Sequence, residues 1–398
     1  MQIRTLQEFY RLMMDTKPVK QEIAANYLEN ISISASLIEK LEQFLHILQN
    51  TEKEGENYVL AIPDGKKAPV NMDYEINELQ KDIYFLKNGE DAFVKHLREI
   101  HPEFEEEVNK GIHQLKNIPF RNFITDRDGT INNYCARYVT SIQSVYNAVF
   151  LTRFVKHNNI EIPVILTSAP LINTGLADIS VNPDGIFIYA GSKGREYLDK
   201  ARERNSFPVE REKQEILDEF NEEIFKILKH PEYIVFSYIG SGLQLKFGQT
   251  TIARQDVNNV IPEDKSLAFL KTIEQLVAKL DPNQRFFRIE DTGKDIEVIL
   301  TIEEGDSGSL KDFDKGDAVK FLNSELNLNI AGGPNLICGD TGSDVPMVTA
   351  SMKETNDTYA LFATQDENLK EKVRNACPNT VFVSGPDMLI SILDNLKK

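Results

Sequence analysis

Apolar residues in the first 118 positions recur at steps of three and four, which is the spacing of amphipathic helices. The first such stretch places them at Ile38, Leu41, Phe44, Leu45 and Leu48. A second stretch runs from about Tyr74 to His113, and the segment Thr51 to Pro69 collects charges, Gly and Pro, which predicts a loop. We therefore expect an N-terminal helical domain. It either packs on the rest of the chain or on a second copy, or binds a protein partner.

The pattern changes after Ile118 to short apolar runs that alternate with helical stretches, which is typical of a parallel sheet with buried strands. FRNFIT (120–125) predicts a strand with the polar turn DRDGTINN directly after it, and Thr140 to Val155 predicts a helix. IPVILTSAP (162–170) and GIFIYAGSKG (185–194) repeat the alternation.

A different pattern interrupts this one between about residues 200 and 305. A charged helix is predicted around Val209 to Lys229, and alternating segments typical of an antiparallel sheet follow it. These segments are YIVFSYIG, LQLKFGQTTIA, RFFRIE and DIEVILTI. We expect an α/β protein with a parallel, Rossmann-like core sheet, an inserted α+β domain and the N-terminal helical domain. The predicted limits are 1–117, 118–199, 200–305 and 306–398.

Composition excludes several classes of function. The chain has 398 residues, of which 41% are hydrophobic, so it can bury a real core. Its net charge of −17 argues against a long nucleic-acid footprint, which needs clustered Lys and Arg. The chain shows no apolar run of the roughly 18 residues that a membrane span needs. The opening segment MQIRTLQEFYRLMMD lacks the apolar stretch of a signal peptide, so we expect a cytoplasmic location.

The metal-binding and nucleophilic residue types narrow the chemistry further. Cys135, Cys338 and Cys377 are far apart and odd in number, which argues against disulfides and a zinc knuckle. The six histidines show no metal-ligand spacing. Carboxylates are therefore the expected reacting groups.

One pair of carboxylates directly follows a predicted strand. Asp126 and Asp128 lie two residues apart, and ligands of open parallel sheets collect beyond the carboxyl ends of strands. Asp126 can act as a nucleophile and Asp128 as a general acid or base, while Gly129 allows a sharp turn. An ordinary Asp-Gly turn is the alternative. Arg127 is expected to face away from the nucleophile, and we assign it no catalytic role.

Three later segments contain side chains that can bind a phosphoryl group or a metal ion beside this carboxylate pair. Thr167 and Ser168 end another predicted strand and can donate hydrogen bonds to a phosphoryl oxygen. Lys315 begins a predicted helix, where a positive charge opposes the helix dipole unless it meets an anion. Asp340 and Asp344 follow the apolar run 335–338, and hard oxygen ligands of this kind suit Mg²⁺.

The order of these four segments, over about residues 118 to 398, resembles the haloacid dehalogenase superfamily of phosphotransferases. The resemblance implies that Asp126 forms an aspartyl-phosphate and that Asp128 protonates the leaving alcohol and then activates water. It implies that Lys315 and Ser168, or alternatively Thr167, hold the phosphoryl group. It further implies a Mg²⁺ site made of Asp126, the backbone carbonyl of Asp128, and Asp340, supported by Asp344.

The inserted domain resembles the cap of sugar phosphatases, and within them trehalose-phosphatases. This implies a Mg²⁺-dependent phosphatase acting on trehalose 6-phosphate. Phosphatases of sucrose, glucosylglycerol or mannosylglycerate phosphate and a sugar phosphomutase are the alternatives. The candidate contacts to sugar or phosphate are Lys193, Arg195, Gln244, Lys246, Arg254 and Glu297. The expected partner is a small sugar phosphate, with no nucleic acid or membrane.

Overall fold

The computed structural model describes residues 2–55, 57–62, 67–256, 259–304 and 309–396. Its N-terminal helices are α1 (Leu6–Leu28), α2 (Ala35–Gln49), α3 (Asp73–Asn88), α4 (Glu90–Ile100) and α5 (Phe104–Leu115). The helix α1 begins at a capping box in which Thr5 accepts a hydrogen bond from the Glu8 amide and Glu8 accepts one from the Thr5 amide. The predicted second helical stretch is divided into three helices. Gly89, at φ +79°, separates α3 from α4.

The predicted loop between Thr51 and Pro69 is wrong. A three-stranded antiparallel sheet lies there, made of β1 (Lys53–Glu54), β2 (Asn57–Ala61) and β3 (Lys67–Val70). Tyr58, Val59 and Leu60 are buried, so packing of this short apolar run outweighs the Gly and Pro residues around it. Residues 56 and 63–66 of that prediction lie outside the described residues.

The central part of the chain supplies the first half of the core and then the inserted domain. The core elements are β4 (Asn122–Thr125), α6 (Val145–His157), β5 (Val164–Leu166), α7 (Leu176–Ile179), β6 (Ile188–Gly191), β7 (Glu196–Leu198) and β8 (Arg204–Ser206). The inserted elements are α8 (Arg211–Leu228), β9 (Leu243–Lys246), β10 (Gln249–Ala253), α9 (Glu263–Leu280), β11 (Phe287–Asp291), β12 (Asp295–Glu304) and β13 (Ser309–Asp312).

The C-terminal part completes the core. Its elements are α10 (Lys315–Leu326), β14 (Asn335–Gly339), α11 (Val345–Glu354), β15 (Thr358–Ala363), α12 (Glu367–Ala376), β16 (Thr380–Val383) and α13 (Pro386–Asn395). Eight strands form one sheet in the order β16-β15-β14-β4-β5-β6-β7-β8. The strands are parallel from β16 to β6, and β7 and β8 are added antiparallel. The predicted α/β class with a parallel core sheet is confirmed.

The inserted domain has its own sheet and core. Its strands lie in the order β11-β12-β10-β9, with β13 paired to β12. Helices α8 and α9 cover one face of this sheet through an apolar cluster that includes Phe220, Phe269 and Val298. The predicted limit between residues 305 and 306 lies outside the described residues.

Two local predictions in these regions are wrong. YIVFSYIG is not a strand but a turn of 3-10 helix (Ile234–Ser237), because Phe236 is buried and stacks on Phe269 at 4.0 Å between ring centroids. The helix predicted from Thr140 begins at Val145, where Asp82 accepts a hydrogen bond from the Val145 amide at 2.7 Å. A separate 3-10 turn lies at Tyr138–Thr140, and residues 141–144 between the two are irregular.

The N-terminal helices and the eight-stranded core sheet share one apolar core. A single buried cluster joins Phe9, Leu41 and Phe93 to Phe150 of α6 and Leu389 of α13. A second cluster covers the other face of the sheet beneath α10, α11 and α12. The helices therefore form an integral layer of the molecule. Among the described residues, no helix combines the length and apolar character that a membrane span requires.

Candidate active site

Carboxylates meet at the carboxyl ends of two adjacent parallel strands. Asp126 directly follows β4 and Asp340 directly follows β14, and the Asp126 amide donates a hydrogen bond to the Cys338 carbonyl at 3.0 Å. Gly129 turns the chain at φ +86°, and a Cβ at this position would overlap the Asp340 carboxylate. The local sequence thus places both acids at one edge of the sheet, as predicted.

Lys315 connects these acids to a third one. Its Nζ lies 2.5 Å from Asp126 Oδ1 and 2.5 Å from Asp344 Oδ1, and all three side chains are buried. Asp344 is also held by its own loop, because its Oδ2 accepts hydrogen bonds from the amides of Asp340 and Thr341. Lys315 therefore lies at the base of the site, between two elements that are distant in sequence.

The charges of the cluster do not balance. Burial, opposed by Lys315, raises the pKa of Asp126 to about 7. Burial and the neighbouring Asp126 raise the pKa of Asp340 to about 8. Although burial works against it, the charges of Asp126 and Asp344 raise the pKa of Lys315 above its usual range. One lysine thus faces three carboxylates, and burial together with the surplus negative charge raises the pKa of Asp126 and Asp340.

This donor set fits a divalent cation. One carboxylate oxygen from each of Asp126, Asp340 and Asp344 lies within 4.8 Å of the others. Hard oxygen donors with uncompensated negative charge are what Mg²⁺ and Ca²⁺ prefer. Thr130 adds a hydroxyl to the same place, 3.2 Å from Asp126 Oδ2 and 3.0 Å from Asp340 Oδ1.

The second acid of the first motif has a different environment. The Asp128 side chain is 25% exposed and lines the cleft above the three carboxylates. Arg127 is buried and pairs with Asp128 Oδ1, while it also donates hydrogen bonds to Ser141. The residue between the two aspartates, to which the sequence assigned no role, is thus in direct contact with one of them.

Thr167 and Ser168 both reach the cleft from the end of β5. The Thr167 hydroxyl is buried and accepts a hydrogen bond from the Ala169 amide at 3.2 Å. Ser168 is half-buried, and within the described part of the chain its hydroxyl makes no hydrogen bond. Ser168 therefore has its whole hydroxyl available to a ligand, whereas the Thr167 hydroxyl already accepts one hydrogen bond and can still donate its own.

The inserted domain covers this site. The cleft has a volume of about 260 Å³, and Gln244 and Lys246 of β9 line it opposite Lys315. Lys246 is buried, which lowers its pKa, and it makes no ion pair within 4.0 Å among the described residues. Lys193 and Glu297 form an ion pair of 3.3 Å next to it but do not line the cleft.

Two other candidates lie away from the cleft lining. Arg195 donates hydrogen bonds to the carbonyls of Gly248 (2.8 Å) and Leu300 (2.6 Å), and so ties the inserted sheet to the core. Arg254 is paired with Asp291 at 2.7 Å. The structure therefore brings Gln244 and Lys246 to the acids and leaves these two arginines in contacts between protein groups.

Sequence reasoning missed several residues that line the cleft. They are Tyr134, Tyr138, Ser241 and Asp295. Asp295 lies two residues before Glu297 on β12, so strand alternation could have placed both on one face. Tyr134 lies in the segment after the first motif and Tyr138 begins the 3-10 turn that follows it, and no sequence pattern indicates where this segment folds.

Two family models match the chain. The one described as "Trehalose-6-phosphate phosphatase, C-terminal" matches residues 123–389. The one described as "Trehalose-6-phosphate phosphatase N-terminal helical bundle domain" matches residues 5–104. Together they cover helices α1 to α4, nearly all of the core and the inserted domain, and α5 lies almost entirely between the two matched ranges.

Curated relatives and solved structures are also similar to this chain. A protein of Caenorhabditis elegans named "Trehalose-phosphatase" is 27% identical over 97% of this chain and 94% of its own length. A protein of Aphelenchoides avenae named "Alpha,alpha-trehalose-phosphate synthase (UDP-forming) 1" is 31% identical over 98% of this chain. The chain spans 35% of that relative. A solved C. albicans trehalose-6-phosphate phosphatase C-terminal domain covers 73% of this chain and 96% of its own, with 15% identity and a TM-score of 0.46.

Proposed function

The chain belongs to the trehalose-6-phosphate phosphatase family, and on that basis we propose that it hydrolyses trehalose 6-phosphate to trehalose and phosphate with Mg²⁺ as cofactor. The observation that carries the proposal is the shared cleft of Asp126, Asp128 and Lys315 from the core and Gln244 and Lys246 from the inserted domain. It combines groups for phosphoryl transfer with groups that can bind a polar leaving group.

The proposed reaction has two steps on Asp126. A carboxylate oxygen of Asp126 attacks phosphorus, the bond from phosphorus to the sugar oxygen breaks, and Asp128 gives its proton to that oxygen. Water then attacks the phosphorus of the aspartyl-phosphate, passes a proton to Asp128, and releases phosphate and the Asp126 carboxylate. Lys315 and Ser168 hold the phosphoryl oxygens during both steps.

Asp126, Asp340 and the Asp128 backbone carbonyl would hold Mg²⁺, with Asp344 supporting this group. When bound, the metal supplies positive charge that neutralises the transferring phosphoryl group. The raised pKa values of Asp126 and Asp340 support this assignment, since burial and the neighbouring carboxylates raise both and Lys315 only partly opposes this.

We propose Gln244 and Lys246 as the contacts of the inserted domain with substrate, and Lys193 with Glu297 as a pair that positions Lys246. Burial tends to raise the pKa of Glu297, but Lys246 and Lys193 lower it overall, so Glu297 stays charged beside both lysines. Arg195 and Arg254 are left out of this proposed set, because their guanidinium groups already bind protein oxygens.

A phosphate-release screen tests the proposal. The purified chain is assayed with Mg²⁺, and again with excess EDTA, on the 6-phosphates of trehalose and sucrose and on glucosylglycerol and mannosylglycerate phosphates. We expect the highest kcat/KM for trehalose 6-phosphate and no turnover in EDTA, because specificity is the ratio of these constants. A higher kcat/KM for another glycosyl phosphate, or phosphate transfer to a second sugar position without release, would replace this function by one of the alternatives.

A further inference from the structure

Arg127 holds one oxygen of Asp128 from inside the protein. Its side chain is 2% exposed, and its Nη1 donates to Asp128 Oδ1 and, at 2.9 Å, to Ser141 Oγ. Its Nη2 donates to the Ser141 carbonyl. The guanidinium group is planar and rigid. Its two hydrogen bonds to Ser141 therefore fix the direction in which Nη1 points at the Asp128 carboxylate.

The two oxygens of Asp128 consequently differ. Oδ1 is bound by Arg127, whereas Oδ2 accepts no hydrogen bond from the described residues, and the side chain lines the cleft. The terminal torsion of an aspartate has a broad, roughly two-fold profile, so an unbound carboxylate would sample many orientations. Binding of Oδ1 removes that freedom and leaves Oδ2 as the oxygen that can face a ligand.

The anchor of Arg127 is itself held by the N-terminal helices. Ser141 Oγ donates to the Tyr138 carbonyl at 2.6 Å, and the neighbouring Thr140 hydroxyl donates to Glu75 of α3. Tyr74 of α3 reaches the Ile142 carbonyl at 3.0 Å. The loop that carries Ser141 is thus fixed on both sides by α3, which keeps the guanidinium in place.

We propose that Arg127 is a positioning residue that aims Asp128 Oδ2 at the oxygen of the leaving sugar. This inference rests on the proposed function, because it assigns the proton transfer of that reaction to one oxygen. In the first step the proton leaves Asp128 Oδ2 for the sugar oxygen as the phosphorus–oxygen bond breaks. In the second step Oδ2 takes a proton from the attacking water, and Arg127 keeps its own protons throughout.

Leaving groups that need no proton separate this role from a general loss of structure. A sugar alkoxide must be protonated as it departs, whereas p-nitrophenolate is stable enough to leave unprotonated. With enzyme in excess over substrate and rapid mixing, only the first step is observed. The experiment compares trehalose release from trehalose 6-phosphate with p-nitrophenolate release from p-nitrophenyl phosphate, in wild type and in Arg127→Gln.

For Arg127→Gln we expect trehalose release to slow by about 10- to 100-fold, which is within the range of a mispositioned general acid. We expect p-nitrophenolate release to stay within about 3-fold of wild type, and KM for trehalose 6-phosphate to change by less than about 3-fold. Equal slowing of both substrates would overturn the proposal, because a distorted site would affect both.

Two further variants complete the design. Ser141→Ala keeps Arg127 and removes one of its anchors, so it should show the same split between substrates at about 3- to 10-fold. If Arg127→Gln does not fold, Ser141→Ala alone tests the positioning role of Arg127. An equal effect of Ser141→Ala on both substrates would again overturn the proposal. The exposed Arg121→Gln is the matched control and should leave both rates unchanged.

A failure of the Arg127 proposal can be distinguished from a failure of the proposed function. If the wild type does not release trehalose from trehalose 6-phosphate, the proposed function fails. The comparison is then made with whichever alkyl phosphate the wild type cleaves, because the demand for a proton is the same. The split between alkyl and aryl substrates in Arg127→Gln remains the criterion in either case.

Discussion

At the scale of single residues, the site depends on buried charges that are held close to one another. Lys315 contacts Asp126 and Asp344, and Arg127 contacts Asp128, each pair within hydrogen-bonding distance. Desolvation makes such groups costly on their own, so each depends on its partner. The same desolvation strengthens every electrostatic interaction with a phosphoryl group that enters the cleft.

Glu75 shows the cost of a buried carboxylate without full compensation. Its Oε1 accepts hydrogen bonds from Thr140 and Cys135, whereas its Oε2 has no partner among the described residues. Burial raises the pKa of Glu75 from its ordinary value of 4.5 to about 7. The folded protein therefore binds a proton more tightly than the unfolded chain, and this contribution to stability is lost as pH rises through about 7.

Glu75→Gln should remove this pH dependence. Between pH 4.5 and 8, the unfolding free energy of the wild type should fall by up to about 3 kcal/mol more than that of Glu75→Gln. Urea unfolding followed by circular dichroism at both pH values measures the difference. Glu105→Gln, at an exposed position of α5, is the control. Asp126 and Asp340 also contribute to the slope in this range, so the variant should keep part of it. A slope in Glu75→Gln as steep as that of the wild type would contradict the assignment.

At the scale of elements, the N-terminal helices and the core sheet share buried side chains. Phe93 of α4 is fully buried, and its ring lies 4.7 Å from Tyr146 and 6.4 Å from Phe150 of α6, between centroids. Asp82 of α3 is paired with Lys20 at 2.9 Å and accepts the first amide of α6. These contacts predict that the helices and the sheet unfold together.

Phe93→Ala tests this coupling. Loss of the buried ring should reduce the unfolding free energy by about 3–5 kcal/mol, the usual cost of such a cavity. The whole transition of helices and core should shift to lower urea when followed by circular dichroism. Ile31→Ala, at a 50% exposed position, should change stability by less than about 0.5 kcal/mol. A shift confined to one of two separate transitions would show that the helices unfold independently.

The sequence predicted elements best where the signal is local. Asp126 and Asp340 follow buried apolar runs, and this alone places them at strand ends. The contact of Arg127 with Ser141 depends on where the chain returns fourteen positions later, which no local pattern contains. The strand at Tyr58 and the 3-10 turn at Phe236 were mispredicted because tertiary packing overrode composition and alternation.

At the scale of the whole molecule, the core and the inserted domain form the cleft together. Lys246 and Gln244 face the core acids across the cleft, and they reach it only because the inserted sheet is docked over β4 and β14. Because the chain has a net charge of −17, the two lysines that line the cleft, Lys246 and Lys315, are important for attracting a phosphorylated substrate. The inserted domain should therefore control which phosphate ester is accepted.

Lys246→Met should alter selectivity more than chemistry. We expect kcat/KM for trehalose 6-phosphate to fall by about 10- to 100-fold, while kcat/KM for p-nitrophenyl phosphate, which lacks a sugar, falls by less than about 3-fold. Lys271→Met, at an exposed position of α9, is the matched control and should change neither value. An equal loss on both substrates would place Lys246 with the phosphoryl group and not with the sugar.

The proposed function depends above all on Asp126 as the nucleophile of a phosphatase, and phosphate release from trehalose 6-phosphate by Asp126→Asn in Mg²⁺ measures this directly. Asparagine has nearly the same shape, but its amide cannot form the aspartyl-phosphate. We expect a loss of at least about 1,000-fold in kcat, with the far-ultraviolet circular dichroism spectrum unchanged. A folded Asp126→Asn protein that releases phosphate at the wild-type rate would show that Asp126 is not the nucleophile.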